Sequence, residues 1–248
     1  MSHKSEKKRK EKYDANGFRD AIVAGMEEAG TDMESISKFL DAAGSTFDYR
    51  RYGEVLLDII ISGGLLVPGA TVVERSNSCL FGRPQDCIEY VKSWEQVLIK
   101  LTRRYKYLEK TLQEEMKKML VSVQSLAERD KVKLARLTAV LLSNDHLNAT
   151  VLNSLLTEHL IEDGLALDFL VAICATWQVE KGPAAMISAL RQSGVDAHLL
   201  EFFPVDQRTE QHFQEVLQRK GLGELIGHYK TQQLMEDIVD EVPTISID

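Results

Sequence analysis

The chain has 248 residues, 44% hydrophobic and 27% charged, and its 38 acids against 30 cations leave a formal net charge of -8. This is enough apolar side chain to bury a core, as one large domain or as a repeat array, and it excludes a chain that is disordered throughout. The three cysteines, Cys79, Cys87 and Cys174, are an odd count without CxxC spacing, which argues against a disulfide framework and against structural zinc.

Residues 1–12, MSHKSEKKRKEK, hold six cations and two acids. Burial cannot offset the entropy of ordering them, so they are predicted to form a disordered basic tail. They lack the apolar run of a signal peptide, and their acids argue against a mitochondrial presequence, so a location in the cytosol or nucleus is expected. Five prolines and fifteen glycines are few, and apolar residues recur at three- and four-residue spacing, which predicts an all-α chain.

From Tyr13 onward, Phe18, Ile22, Val23 and Met26 make one helical face that ends near Gly30. The next stretch, TDMESISKFLDAAG, predicts a helix presenting Met33, Ile36, Phe39 and Leu40, with Thr31 and Glu34 at capping-box spacing. A third helix, in DYRRYGEVLLDIIISGG, is expected to bury Tyr52, Val55, Leu56, Ile59 and Ile60 and to stop at Gly63-Gly64. The apolar run from Val55 is interrupted by Asp58 and the glycine pair before it reaches spanning length, so no membrane segment is predicted. Residues 62–84 read as the longest loop.

Helical patterning resumes with PQDCIEYVKSWEQVLIKLTRRY and runs with little punctuation to near Ser125. KVKLARLTAVLLSN, NATVLNSLLTEHLI, EDGLALDFLVAICATWQVE, GPAAMISALRQSG and HFQEVLQRKGLGELIGHYK then each read as one helix. About a dozen amphipathic helices of ordinary length, joined by short turns, predict an α-solenoid of stacked antiparallel helix pairs over 13–231. A leucine zipper is not expected, because Leu101 and Leu108 are followed at the next heptad position by Glu115, and DNA binding is not expected with it. Residues 232–248 hold five acids and no cation and read as an acidic tail.

The stretch LTRRYKYLEK stands out in so acidic a chain: from Val97 to Lys118, seven cations meet three acids. Read as one continuous helix over 100–120, it puts Leu101, Tyr105, Leu108, Leu112, Met116 and Met119 on an apolar stripe. Arg103, Lys106, Lys110 and Lys117 then gather on the opposite side, with Arg104 flanking them. One reading is a solvated face supported by pairs such as Glu114 with Lys118. The other is a docking ridge for an electronegative partner, with Arg50 and Arg51 as further candidate positions.

For such a ridge an acidic protein segment is preferred to RNA. Tyr105 is expected in the buried stripe, which leaves bases little to stack on, and no RNA-binding sheet signature or zinc knuckle accompanies the cations. Nonspecific RNA binding through the basic tail and ridge is the alternative, and folding of residues 236–248 onto the ridge is a third arrangement that opposite charge permits. GLGELIG lacks the strand of a dinucleotide turn, and GGLLVPGAT lacks the Lys-Ser/Thr of a phosphate loop. His146, His159, His198, His212 and His228 are scattered, without an i, i+4 pair or a nearby carboxylate. No catalytic, metal or cofactor residues are therefore assigned, and the chain is not expected to be an enzyme.

The segments GTDMESISKFLDAAGSTFDYRRYGEVLLDIIISGGLLVPG, LIKLTRRYKYLEKTLQEEMKKML and KLARLTAVLLSNDHLNATVLNSLL resemble the N-terminal portion of the basic leucine zipper and W2 domain proteins, the initiation factor five mimics. The resemblance runs from near Lys10 to near Gln233. It implies a cytoplasmic HEAT-like regulator of translation initiation that competes with initiation factor five, binds initiation factors and has no catalytic activity. The family continues into a C-terminal W2 domain, whereas EDIVDEVPTISID does not resemble that continuation, so factor-two binding through a W2 domain is not expected here. A shortened form acting as a decoy is an alternative reading.

Overall fold

Among the described residues, three helices build the first unit, and each begins at an aspartate. Helix α1 (Ala15–Ala29) starts where the Asp14 side chain accepts the Gly17 N–H, and it buries Phe18, Ile22 and Met26. Helix α2 (Met33–Ala43) is capped by Asp32, whose carboxylate accepts the Ser35 N–H at 2.8 Å and the Ser35 hydroxyl at 2.7 Å. The predicted Thr31–Glu34 box is thus replaced by a cap one residue later, where an ionised acceptor stands at the positive end of the helix. Helix α3 (Tyr49–Ser62) begins with Asp48 accepting the N–H groups of Arg50 and Arg51.

Tyr52 leaves helical geometry at φ -113° and ψ 19°. It is half-buried rather than a core residue as predicted, and Tyr49 takes the core position, donating its hydroxyl to the Leu40 carbonyl at 2.8 Å. The kink lets the Tyr52 ring stack on Phe18 at 4.6 Å, while its hydroxyl accepts the Asp14 N–H at 3.0 Å. Gly63, at φ 80°, closes α3 by donating to the Ile59 carbonyl, a left-handed position that a side chain would strain. The chain then returns to donate the Leu80 and Phe81 N–H groups to the Ile60 and Ile61 carbonyls at 3.0 Å each, which satisfies the last turn of α3.

The computed structural model describes residues 14–65 and 76–231, which divide into two compact units at Gly82 and Arg83. The predicted basic tail, acidic tail and residues 66–75 of the predicted loop lie outside the described residues.

The second unit contains α4 (Ile88–Arg104), α5 (Leu108–Val121), α6 (Glu128–Ser143), the short α7 (Glu158–Glu162), α8 (Leu165–Lys181), α9 (Pro183–Gln192) and α10 (Glu210–Arg219). Residues 223–231 are also helical. 3₁₀ segments occupy Val123–Ser125, Ala149–Leu155, Val195–Phe202 and Val205–Gln207, and no strand occurs among the described residues. The fold is all-α, as the periodicity predicts, and HEAT-like, but some expected single helices are divided. NATVLNSLLTEHLI becomes a 3₁₀ segment followed by the five-residue α7. HFQEVLQRKGLGELIGHYK becomes α10 and the run 223–231, separated at Gly221, whose φ is 76°.

The centre of this unit is α6 packed against α8, with α4 on α6 and α9 on α8. Leu134, Leu137, Val140 and Leu141 of α6 and Ala166, Leu170, Ile173 and Trp177 of α8 are all buried. A helix this apolar on most of its circumference belongs inside a helical layer. Truncating such a leucine to alanine costs about 2–5 kcal/mol, which makes this contact the mechanical base for the surface built on α4 and α5.

Candidate functional site

The predicted cationic ridge exists as two helices joined by a turn. Tyr105 leaves the helix at φ -117° and ψ 77°, donates its N–H to the Leu101 carbonyl at 2.9 Å and accepts the Leu108 N–H at 2.8 Å. Neither proline nor glycine stands here, so local chemistry does not force the break. Leu101 and Leu108 are buried on the two sides of the turn, and α4 packs against α5. Burial of both apolar stripes outweighs the hydrogen bonds of an unbroken helix. Gln113 fastens α5 from its other side: its amide nitrogen donates to the Asn148 carbonyl at 3.3 Å and its amide oxygen accepts the Asn148 N–H at 3.1 Å.

This turn sorts the predicted residues. Arg103 and Arg104 occupy the last turn of α4, where the negative end of the helix dipole favours cations. Lys106 lies in the turn and Lys110 in the beginning of α5, so these four gather about one corner, all exposed. Lys117 lies about two helical turns farther along α5, half-buried and paired with Glu114 at 3.0 Å. Lys118 pairs with Glu115, whose side chain is buried. Arg50 and Arg51 are exposed in the first turn of α3 and form a separate candidate patch of the first unit.

Within the corner the charges are unequally committed. Lys106 is held by Glu109 at 2.7 Å, an exposed pair three residues apart. Arg103 and Lys110 have no acidic partner among the described residues. The Arg104 guanidinium lies 6.0 Å from the centroid of the Tyr105 ring, and the Tyr105 and Tyr107 rings are 6.1 Å apart and tilted. Tyr105 is half-buried, not buried as the single-helix wheel requires, because the break rotates it out of the apolar stripe.

Two features escaped the sequence reading. The first is Lys133, wholly buried on α6, whose Nζ donates to the Arg83 carbonyl and stands 5.6 Å from the Tyr90 ring. Its neighbour Arg136 donates to the Asp86 carbonyl and lies 3.6 Å from the Asp86 carboxylate, so two cations of α6 hold the segment leading into α4. A lysine among leucines carries no local sign of such a partner, since the acceptors are backbone carbonyls fifty residues away.

The second is the histidines, three of which do lie beside carboxylates: His146 by Glu95 at 3.4 Å, His198 by Glu201 at 2.6 Å and His228 by Asp196 at 2.8 Å. Only the His198–Glu201 spacing is visible in sequence; the others are brought together by folding. No group of three or more His, Cys, Asp or Glu side chains placed to hold a metal occurs among the described residues. No helix among them is long and apolar enough to cross a membrane.

A unit built of packed helices, with no strand among the described residues, falls in the class of helical repeat folds. The family model described as the 5MP1/2 HEAT domain matches residues 3–237, and the chain belongs to that family. It is 46% identical over 250 residues to protein krasavietz of Drosophila melanogaster, covering 94% of this chain and 59% of that protein. It is 42% identical over 227 residues to eIF5-mimic protein 2 of Homo sapiens, covering 90% of this chain and 54% of that protein. Against eIF5-mimic protein 1 of Mus musculus the identity is 41% over 230 residues, with 90% and 55% covered. The chain thus spans little more than half the length of the curated relatives it matches, and no solved structure matches it.

Proposed function

We propose that the chain is a non-catalytic, cytoplasmic regulator of translation initiation that docks initiation factors through the corner formed by Arg103, Arg104, Lys106 and Lys110. Lys117, Arg50 and Arg51 are subsidiary positions. Membership of a family whose relatives are called eIF5-mimic proteins supports the pathway. The observation that carries the docking surface is the exposure of Arg103 and Lys110 without an acidic partner among the described residues, in a chain of net charge -8. A cation left unneutralised there is a local reversal of the surrounding field, which steers acidic partners and fixes their orientation.

The test is quantitative capture from nuclease-treated lysate with the 248-residue chain and an Arg103→Glu/Lys110→Glu variant, counting initiation-factor subunits. The variant is expected to lose most of that capture while keeping its helical circular dichroism. Capture equal to that of the parent removes the corner from the mechanism.

A second reading, RNA binding, draws on the half-exposed Tyr105 and Tyr107 rings beside the arginines, a pairing that can stack bases. It requires affinity for an oligonucleotide that falls steeply with salt. Salt-independent or absent binding eliminates it.

A further inference from the structure

The corner already contains a carboxylate. Glu109 extends from the first turn of α5 to hold Lys106 at 2.7 Å, and both side chains are largely exposed, at 55% and 73%. It is thus not a buried structural pair, and solvent screening leaves it little to contribute to stability. Arg103 in the last turn of α4 and Lys110, next to Glu109 in the sequence of α5, are exposed and without acidic partners among the described residues.

We propose that Glu109 is a built-in competitor for the docking surface, occupying at Lys106 the place that a carboxylate of an acidic protein segment takes on binding. The proposal rests on the corner being the docking surface, as argued above. The ligand it defines is a short segment with at least three closely spaced carboxylates, two meeting Arg103 and Lys110 and a third displacing Glu109 from Lys106. A carboxylate is the group that the corner holds when empty of partner, and that chemistry favours an acidic peptide over a nucleic acid. Length separates the two as well: a long polyanion also meets the field of a chain of net charge -8, whereas a short acidic segment is dominated by charges within a Debye length of about 8 Å. Displacing Glu109 subtracts its own ion pair from the gain, so the competitor lowers affinity and penalises ligands with too few acids.

The experiment compares binding of a fluorescent tetraglutamate peptide and of an oligouridylate to four forms of the 248-residue chain: parent, Glu109→Gln, Glu128→Gln and Arg103→Glu/Lys110→Glu. Glu128 holds Lys131 at the same 2.7 Å and three-residue spacing on α6, so its variant changes net charge identically away from the corner. Glu109→Gln is expected to bind the peptide about two- to fivefold more tightly, the size of one exposed ion pair. Glu128→Gln should match the parent, and the double reversal should lose binding.

Equal gains in Glu109→Gln and Glu128→Gln overturn the proposal in favour of net charge alone. No gain in Glu109→Gln with loss in the double reversal overturns it while leaving the docking surface intact. Parent-like binding by the double reversal overturns the surface, and the competitor with it. A gain confined to the oligouridylate overturns the acidic segment and assigns the corner to RNA.

Discussion

Asp32 shows how much a single side chain does at the surface of this protein. Its carboxyl is held below its ordinary value of 3.8, first by the Ser35 hydroxyl and then by the Ser35 N–H, both of which donate to the ionised form. A carboxyl depressed by folding adds stability that is present above its unfolded value and lost as pH falls through its folded value. Asp32→Ala is therefore expected to lower the melting temperature at neutral pH, and Asp32→Asn to retain part of the cap while flattening the acid limb. Melting curves followed between about pH 7 and about pH 3 give both readings, and an unchanged acid limb in the Asn variant contradicts this account.

The cysteines divide by the same logic of environment. Burial pushes the Cys174 thiol up to about 12, and Cys79 is also buried, whereas Cys87 is exposed at the start of α4. Only a thiolate reacts rapidly, so one cysteine is expected to label in the native protein and all three in denaturant. Cys87→Ser should abolish the native labelling, and fast labelling that survives it would place a second thiol at the surface.

At the scale of elements, the crossing of α1 and α2 depends on a missing side chain. A Cβ on Gly25 would lie 2.1 Å from Cζ of Phe39, inside any tolerable contact, so the ring packs directly on the α1 backbone. Gly25→Ala is expected to destabilise by about 1–3 kcal/mol in urea titration, as overpacking does. Adding Phe39→Leu should recover part of that loss, and strict additivity of the two would show that the ring is not the obstacle.

Elements whose ends carry their own signals were legible in the sequence. Phe18, Ile22 and Met26 mark α1, and Gly63 stops α3 at the predicted position because a left-handed residue is a local requirement. The turn at Tyr105 was not legible, since RRYKY contains no breaker and the cause lies in what Leu101 and Leu108 pack against. The division of NATVLNSLLTEHLI failed for the same reason: a 3₁₀ segment and a short helix present the same apolar spacing as one longer helix.

For the whole molecule, composition and apolar period were sufficient for an all-α fold, and three long segments were sufficient for the family. The cations of the candidate site were also visible, down to Arg103 and Lys110, but their grouping was not. Lys117 belonged to the predicted ridge and lies away from the corner, while Glu109, counted only as one of three acids, proves to sit within it. Charge can be tallied from a sequence; commitment of that charge to a neighbour requires the backbone path.

That path bears on how the region can be studied in pieces. A synthetic peptide spanning 97–118 lacks the partners that stop α4 at Tyr105, so whatever helix it forms runs through the tyrosines and spreads the cations along one side. Such a fragment presents a basic rod in place of a corner. An array of overlapping peptides would then report an affinity for polyanions that belongs to the rod, and would miss ligands selected by the angle between two helices.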